Sequence, residues 1–271
     1  MGAYRGFVSI AAEEIVRACC GPAGKGSAVV LKATGETLGR DLRNLGVEPG
    51  DILFIHSSFK SIGPVVRGAE TVIGALEQAV GPDGLLLLPS FHLLPRGQDA
   101  RAAGWDHATT SSTVGWLTEY FRLMPGTVRS DHYSHSVAAR GRRAVDFVAG
   151  HLSSAGFPSG WDRAPWGKTY GFYSPMYRAY AADGKLLMLG VDYESSTYVH
   201  LVEVLYWQIR RSQDLSAPSL GLKRPELGAF WDESGDLVRG QVGRADCRLF
   251  RIRSYVDALL NEVCRNPDPY R

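Results

Sequence analysis

The sequence lacks an excess of either charge and lacks a long apolar run. The 271 residues include 30 Lys and Arg residues and 28 Asp and Glu residues, which gives a net charge of +2. This balance gives no electrostatic reason to expect a nucleic acid or a membrane as a partner. The first apolar stretch, residues 7–12, is interrupted by Glu13 and Glu14, and no later run approaches the thickness of a bilayer. We therefore expect neither a signal peptide nor a membrane segment.

Cysteine is also scarce. Cys19 and Cys20 are neighbours that cannot easily bridge each other, and Cys247 and Cys264 stand alone. The sequence contains no C-x-x-C pair and no His/Cys zinc spacing. This pattern predicts a reducing, cytoplasmic location and no bound metal.

Strand-like and helix-like segments alternate along the chain. Residues 1–34 are predicted to form an N-terminal helix, at residues 9–20, and a connector, and residues 35–271 a single domain. Within that domain the pattern predicts apolar strands at residues 52–55, 85–88, 136–139, 186–191 and 246–250, and helices at residues 37–45, 68–80, 114–123 and 142–151. Strand, helix and strand in this order predict an α/β fold with a central, mostly parallel sheet covered by helices.

Two long segments read as loops, residues 92–112 and residues 156–177. The second is rich in glycine, proline and aromatic residues. Loops of this length in a compact domain are usually functional or disordered, and the aromatic content argues against disorder. We therefore expect the 156–177 loop to take part in function.

His200 and Glu203 follow the 186–191 strand and are three residues apart in a helix-like segment. This spacing places both side chains on one face of a helix. A carboxylate beside an imidazole raises its basicity and fixes its tautomer, as a general base requires. A surface ion pair of little consequence has the same spacing, so the pair alone leaves both interpretations open.

A short polar run follows the strand at 52–55 and contains Ser57, Ser58, Lys60 and Ser61. Open α/β sheets bind ligands at the carboxyl ends of parallel strands, and backbone N–H groups at such a turn suit phosphate oxygens. The run therefore predicts a pyrophosphate site. A capped turn with a solvated lysine is the structural alternative.

A second polar cluster spans residues 129–132, and His135 follows it closely. An ordinary surface loop explains the cluster. His132 and His135 together with His200 and Glu203 also raise the alternative of a metal-dependent hydrolase, although the spacing defines no zinc geometry.

Five ordered motifs resemble the aminoglycoside 3-N-acetyltransferase family. They are residues 45–63, residues 81–84 with Pro89, residues 125–132 with Ser136, the pair Ser174-Pro175, and residues 187–191 followed by Thr197, His200 and Glu203. The likeness runs from about residue 35 to residue 210 and continues more faintly through residues 243–256. Five motifs in matching order are far more specific than any one of them.

The resemblance implies an acetyl-coenzyme A-dependent N-acetyltransferase of α/β fold that needs no metal. It implies direct acyl transfer to an amino group of an aminoglycoside or a related amino sugar, with His200 as the general base and Glu203 as its partner. It also implies a coenzyme A site formed by polar residues of two segments, namely His56, Ser57, Ser58, Lys60, Ser61, Ser130 and His132. The expected partners are thus a small-molecule amine and coenzyme A, and a homodimer is the candidate oligomer.

The departures from the family pattern concern the acceptor. Tyr133 stands where the family usually has proline, and Trp105-Asp106-His107 replaces Phe-Asp-Pro. A polycationic acceptor needs carboxylates near the acyl group, and the candidates are Asp106, Asp192 and Glu194, followed by Asp131 and Asp162. The aromatic loop suits a less charged amine equally well. A biosynthetic amine therefore stays an alternative acceptor, and a non-catalytic binding protein on the same scaffold stays an alternative class.

Overall fold

Seven strands form one sheet in a computed structural model of the protein, which describes residues 31–95 and 97–271. The helix predicted at residues 9–20 lies outside these ranges. Residues 32–271 form one compact unit. Its strands are β1 (Ile52–Ser57), β2 (Leu85–Pro89), β3 (Val128–Arg129), β4 (Val137–Gly141), β5 (Lys185–Leu189), β6 (Leu237–Val242) and β7 (Ala245–Arg251).

The parallel strands lie at the centre of the sheet, whose order is β3-β4-β2-β1-β5-β7-β6. β1 pairs in parallel with both β2 and β5. The outer pairs, β2 with β4, β3 with β4, β5 with β7 and β6 with β7, are antiparallel. The predicted α/β fold is confirmed, and the structure adds that the sheet is mixed, with its parallel strands confined to the centre.

Helices cover the sheet and bury a hydrophobic core on each of its faces. The helices are α1 (Gly35–Leu45), α2 (Ala69–Val80), α3 (Gln98–Ala103), α4 (Trp116–Leu123), α5 (Ala144–Val148), α6 (Pro175–Ala181), α7 (Tyr198–Gln213), α8 (Arg224–Ser234) and α9 (Ile252–Arg265), with short 3-10 helices at Phe59–Ile62, Tyr193–Ser195 and Asp268–Tyr270. Successive residues of β1 alternate between the cores, because side chains alternate across a strand: Phe54 belongs to one, and Leu53 and Ile55 belong to the other. Both faces of the central strands are therefore apolar.

The strand register brings several chain segments to one edge of the sheet. Ser57 pairs with Leu189 at the carboxyl ends of β1 and β5, and Leu189 pairs with Cys247 near the start of antiparallel β7. The hairpin turn between β6 and β7 therefore reaches the same edge, where the Arg244 backbone N–H donates a 3.1 Å hydrogen bond to the Ile62 carbonyl oxygen. We call this edge the carboxyl edge.

The predicted elements differ from the observed ones mainly in their extent. The helix expected at 114–123 begins at Trp116, and the helix expected at 142–151 spans only Ala144–Val148. The loop expected at 92–112 contains α3, and β3, β6, α6, α8 and α9 were not predicted. No helix of residues 31–95 and 97–271 is both long enough and apolar enough to cross a bilayer.

Candidate active site

His200 and Glu203 form a hydrogen-bonded pair on α7. His200 Nδ1 lies 2.7 Å from Glu203 Oε2, as the three-residue spacing predicts. The other carboxylate oxygen, Glu203 Oε1, accepts a 2.7 Å hydrogen bond from the backbone N–H of Leu222. Glu203 is only 6% exposed. Both oxygens of a nearly buried carboxylate are thus engaged, and one of them orients the imidazole.

The His200 ring lines a cavity of about 260 Å³ at the carboxyl edge, which we call the first cavity. A carboxylate at Nδ1 favours the tautomer that carries its proton there, so the lone pair lies on Nε2. Within the described residues, no hydrogen bond occupies Nε2. His200 can therefore accept a proton from a ligand in this cavity.

The end of β1 contributes His56 and Ser57 to the wall of the first cavity. His56 Nε2 accepts a hydrogen bond from the Thr197 backbone N–H at 3.4 Å and lies 3.1 Å from Thr197 Oγ1, which ties β1 to the start of α7. Burial, with a smaller effect of the Arg224 charge, lowers the pKa of His56 to about 3, so this ring is neutral near pH 7. Ser57 Oγ is buried and has no hydrogen-bond partner among the described residues, which leaves it available to a ligand.

The turn after β1 is held together by its own serines. Ser61 Oγ lies 2.9 Å from Ser58 Oγ and 3.1 Å from the carbonyl oxygen of Gly190. Ser61 also lines a second cavity, of about 560 Å³, whereas Lys60 is exposed on the same turn. Hydrogen bonds of Ser61 thus hold the turn to itself and to Gly190, and the same residue borders the second cavity.

Ser130 lies inside the protein and is 0% exposed. Its Oγ accepts a 2.9 Å hydrogen bond from the backbone N–H of Val137 and lies 3.0 Å from His151 Nδ1. Burial lowers the pKa of His151 to about 4. Ser130 lines neither cavity, so its hydroxyl holds the strand pair β3–β4 and the neutral His151 ring.

His132 is equally buried, at 0% exposure. Its Nδ1 accepts hydrogen bonds from the backbone N–H groups of Ser134 and His135 at 3.3 and 3.1 Å, and its Nε2 lies 3.2 Å from Thr169 Oγ1. Burial, followed by the nearby imidazoles, holds the pKa of His132 well below its usual value. Because both ring nitrogens are engaged within the fold, His132 supports the loop around it and offers no surface to coenzyme A.

His135 lines the first cavity, although the sequence suggested it only as a metal ligand. Its Nδ1 lies 2.7 Å from Ser134 Oγ, and its ring centroid is 6.4 Å from that of His200. Burial, followed by the charges of His200 and His151, keeps the pKa of His135 well below the usual range. A neutral imidazole thus stands near His200.

The 156–177 loop packs against the candidate base. The Trp161 ring lies 4.7 Å from the His200 ring and 5.7 Å from the Tyr170 ring, measured between centroids. Asp162 fixes this loop by accepting hydrogen bonds from the backbone N–H groups of Ser159 and Thr169 at 2.8 and 3.0 Å. The aromatic side chains are therefore ordered around His200.

The predicted acceptor-binding carboxylates do not converge on one place. Asp106 accepts hydrogen bonds from the N–H and hydroxyl of Thr109 in an exposed turn and lines neither cavity. Asp192 lines the second cavity and accepts a 3.1 Å bond from the Glu194 backbone N–H. Glu194 lines the first cavity. Among the described residues that line the first cavity, Glu194 is the one carboxylate.

Arg224 is a cavity residue that the sequence reasoning missed. It lines the first cavity, and its Nε lies 3.7 Å from Glu194 Oε2. Arg224 opens α8 and is followed by Pro225. A cation at a helix N-terminus interacts unfavourably with the helix dipole. An arginine at this position of the sequence therefore indicates that another interaction stabilises it there.

The four predicted metal ligands also do not converge. No group of three or more His, Cys, Asp or Glu side chains within residues 31–95 and 97–271 is arranged to hold a metal ion. His132 uses both ring nitrogens within the fold, and Glu203 uses both oxygens. The geometry offers an acid–base pair and a hydroxyl group at one cavity.

An α/β sheet that carries an oriented imidazole at a cavity on its carboxyl edge belongs to the class of open α/β folds that bind small molecules at this edge. The sequence of residues 54–226 matches the family described as Aminoglycoside 3-N-acetyltransferase. The chain belongs to this family of N-acetyltransferases. The fold, the family and the enzyme class expected from the sequence are thereby confirmed.

Individual relatives agree with this placement. The aminoglycoside N(3)-acetyltransferase IV of Salmonella sp is 31% identical, and the match covers 83% of this chain and 85% of the relative. The apoenzyme structure of aminoglycoside acetyltransferase AAC(3)-IVa has a TM-score of 0.70 at 28% identity and covers 88% of this chain and 91% of its own. AAC-IIIb, solved as a binary complex with CoASH, has a TM-score of 0.68, covers 87% of this chain and 97% of its own, and at 23% identity shares the fold.

Proposed function

We propose that the protein transfers the acetyl group of acetyl-coenzyme A directly to an amino group of an aminoglycoside or a related amino sugar. The observation that carries this proposal is the His200–Glu203 pair, whose imidazole lines the first cavity. Membership of the acetyltransferase family supplies the reaction type, and the coenzyme A complex of AAC-IIIb supports coenzyme A as the carrier of the acyl group.

The proposed reaction needs a base when the amine has attacked the thioester and its nitrogen carries a positive charge. The acceptor must first lose a proton to water, since an ammonium group has no lone pair. When the neutral amine attacks the thioester carbonyl carbon, a C–N bond forms and the nitrogen becomes positively charged. His200 Nε2 takes the proton from that nitrogen, and the tetrahedral intermediate then breaks its C–S bond. The coenzyme A thiolate leaves and takes the proton from the imidazolium, which restores the neutral base.

Glu203 and Ser57 have supporting roles in this proposal. A charged hydrogen bond from Nδ1 to Glu203 stabilises the imidazolium that forms during attack. Ser57 Oγ is buried at the first cavity without a partner among the described residues, so it can donate to the oxygen of the tetrahedral intermediate. Ser130 cannot do so, because it is fully buried outside the cavity.

The charge of the first cavity favours an acceptor with few amino groups. Among the described residues, Glu194 is the one carboxylate that lines this cavity, and Arg224 lies beside it. Aminoglycosides carry several ammonium groups, and each of them gains from a nearby carboxylate. A biosynthetic amino sugar with a single amino group is therefore the second candidate acceptor.

A His200→Ala variant tests the proposed base. Turnover with acetyl-coenzyme A and an accepted amine should fall by about 10² to 10⁴, whereas coenzyme A binding by calorimetry should stay near the wild-type value, because the imidazole acts on the acceptor proton. His107→Ala, at an exposed position that lines neither cavity, is the control. A His200→Ala variant that retained more than about a tenth of the rate would contradict the assignment.

A screen of amines tests the acceptor class. Thiol release from acetyl-coenzyme A should be followed with several aminoglycosides beside amino sugars that carry one amino group. We expect turnover with at least one of these compounds. Absence of thiol release with every amine, together with intact coenzyme A binding, would contradict the acetyltransferase proposal for these acceptors.

A further inference from the structure

The His200 ring is held by more than its hydrogen bond. Glu203 fixes Nδ1 through that bond, and a single hydrogen bond leaves an imidazole free to tilt about it. The Trp161 ring lies 4.7 Å from the His200 ring between centroids, with 59° between the two planes. Trp161 also contacts the rings of His135 and Tyr170, at 5.5 and 5.7 Å. Packing against Trp161 therefore limits the tilt that the hydrogen bond permits.

The hydroxyl group of Tyr133 anchors Trp161. Tyr133 Oη donates a 2.8 Å hydrogen bond to the carbonyl oxygen of Trp161, and among the described residues it is the one donor to that oxygen. Tyr133 is 0% exposed, so water does not compete for this bond. The proline that the family usually has at this position offers no side-chain donor. The anchor therefore belongs to a position at which this chain departs from the family pattern.

Tyr133 is itself held by contacts of its ring and of its hydroxyl group. The ring lies 5.1 Å from the Trp166 ring, measured between centroids. Gln98 of α3 places its Oε1 atom 3.1 Å from Tyr133 Oη, and its Nε2 atom donates a 3.3 Å hydrogen bond to the carbonyl oxygen of Gly160. The phenol and the amide together therefore fix the backbone of the 156–177 loop.

We propose that Tyr133 is a positioning residue for the general base. Its hydroxyl group holds Trp161 in place, and the Trp161 ring holds the His200 imidazole in the orientation that receives the acceptor proton. Proton transfer to Nε2 requires a short and aligned approach, and a small misplacement of a reacting group lowers the rate strongly. Neither Tyr133 nor Trp161 lines the first or the second cavity, so both act through His200. This inference rests on the proposed function, since it concerns the base of that reaction.

Nuclear magnetic resonance tests the placement without turnover. In protein labelled isotopically at histidine, the ring protons of His200 experience the ring current of Trp161, and His200→Ala identifies their signal. Trp161→Leu should shift this signal, and Tyr133→Phe, which removes only the hydroxyl group, should shift it in the same direction. The matched control is Tyr180→Phe, because Tyr180 Oη donates a 2.7 Å hydrogen bond to Asp257 and lines neither cavity. An unchanged His200 signal in Tyr133→Phe would overturn the inference.

Kinetics test the consequence for the base. Tyr133→Phe should lower kcat about 3- to 10-fold, the usual effect of one lost hydrogen bond, and should leave coenzyme A affinity by calorimetry near the wild-type value. In a Trp161→Leu background the same substitution should lower kcat less than about 2-fold, because the hydroxyl group acts through that ring.

Two results would overturn the role of Tyr133 while leaving the acetyltransferase proposal in place. They are a wild-type kcat in Tyr133→Phe and equal fold losses in the wild-type and Trp161→Leu backgrounds. Absence of turnover in the wild-type protein with every amine would contradict the proposed function instead, and the shift of the His200 signal would then decide by itself whether Tyr133 sets the position of this ring.

Discussion

At the scale of single residues, His200 and Glu203 show which kinds of contact a sequence can predict. Their mutual hydrogen bond follows from three-residue spacing on one helix and is present at 2.7 Å. The contact between Glu203 and the Leu222 backbone joins residues 19 positions apart, and no local pattern predicts it. The second contact fixes the carboxylate that orients the imidazole.

Replacement of Glu203 by glutamine tests this orientation. Glu203→Gln keeps the size of the side chain but removes the negative charge that stabilises the imidazolium, and its single carbonyl oxygen cannot accept from both His200 Nδ1–H and the Leu222 backbone N–H. We expect kcat to fall about 10- to 100-fold while coenzyme A affinity stays close to wild type. Steady-state kinetics with calorimetry would measure both quantities.

Glu226→Gln is the matched control for this substitution, because Glu226 lies exposed in the first turn of α8. It makes the same chemical change away from both cavities. A Glu203→Gln enzyme with more than half of the wild-type kcat would contradict the role given to the carboxylate.

At the scale of elements, the site depends on how loops leave the carboxyl edge of the sheet. Gly190 follows β5 with a φ of 66°, and a Cβ atom there would lie 2.5 Å from the Cβ atom of Ser61. The Gly190 carbonyl oxygen also accepts from Ser61. Glycine at this position therefore lets the turn after β1 approach β5, and that approach forms one wall of the second cavity.

A pair of glycine substitutions separates this local role from stability. Gly190→Ala and Gly141→Ala should both destabilise the protein by about 1–3 kcal/mol, because each places a Cβ atom at a positive φ and against neighbouring atoms. Gly190→Ala should also raise the KM for acetyl-coenzyme A, since it displaces Ser61. Thermal unfolding and donor kinetics would measure the two effects.

Gly141 serves as the control because its Cβ atom would clash with the Gly84 carbonyl oxygen, beside the first residue of β2. Its substitution should leave the donor KM unchanged. Equal donor KM values for the two variants would show that the approach of Ser61 to β5 does not shape the donor site.

At the scale of the whole molecule, several histidines are buried in their neutral form. Burial lowers the pKa of His56 to about 3 and that of His151 to about 4, and it holds those of His132 and His135 well below the usual range. In an unfolded chain these rings titrate near pH 6.5. Between about pH 6.5 and these lower values, the unfolded state therefore binds more protons than the folded state, and the free energy of unfolding rises with pH.

The protein should accordingly lose stability as the pH falls below about 6.5. Each buried neutral histidine contributes a slope that approaches about 1.4 kcal/mol per pH unit. Urea unfolding at pH 7.5, 6 and 5 would measure the loss, and His151→Gln, which removes one titrating ring, should flatten the dependence. A free energy of unfolding that did not change between pH 7.5 and 5 would contradict this account.

The sequence by itself determined the elements whose signals are local. The apolar runs of β1, β2 and β5 are buried on both faces and stand out against their turns, and the ordered motifs around them were sufficient to indicate the family. Strand β6 was not predicted because its residues 238–241 are exposed at the edge of the sheet, so no apolar alternation marks it.

Only the tertiary structure decided which polar residues share a cavity. Ser57 and Ser130 both occur beside strands in family motifs, yet one lines the first cavity and the other is enclosed. Arg224 and Arg244 reach the two cavities from segments far along the chain. Such placements depend on strand order and register, which bring distant segments to one edge of the sheet. The spacing of residues along the chain does not predict those long-range contacts.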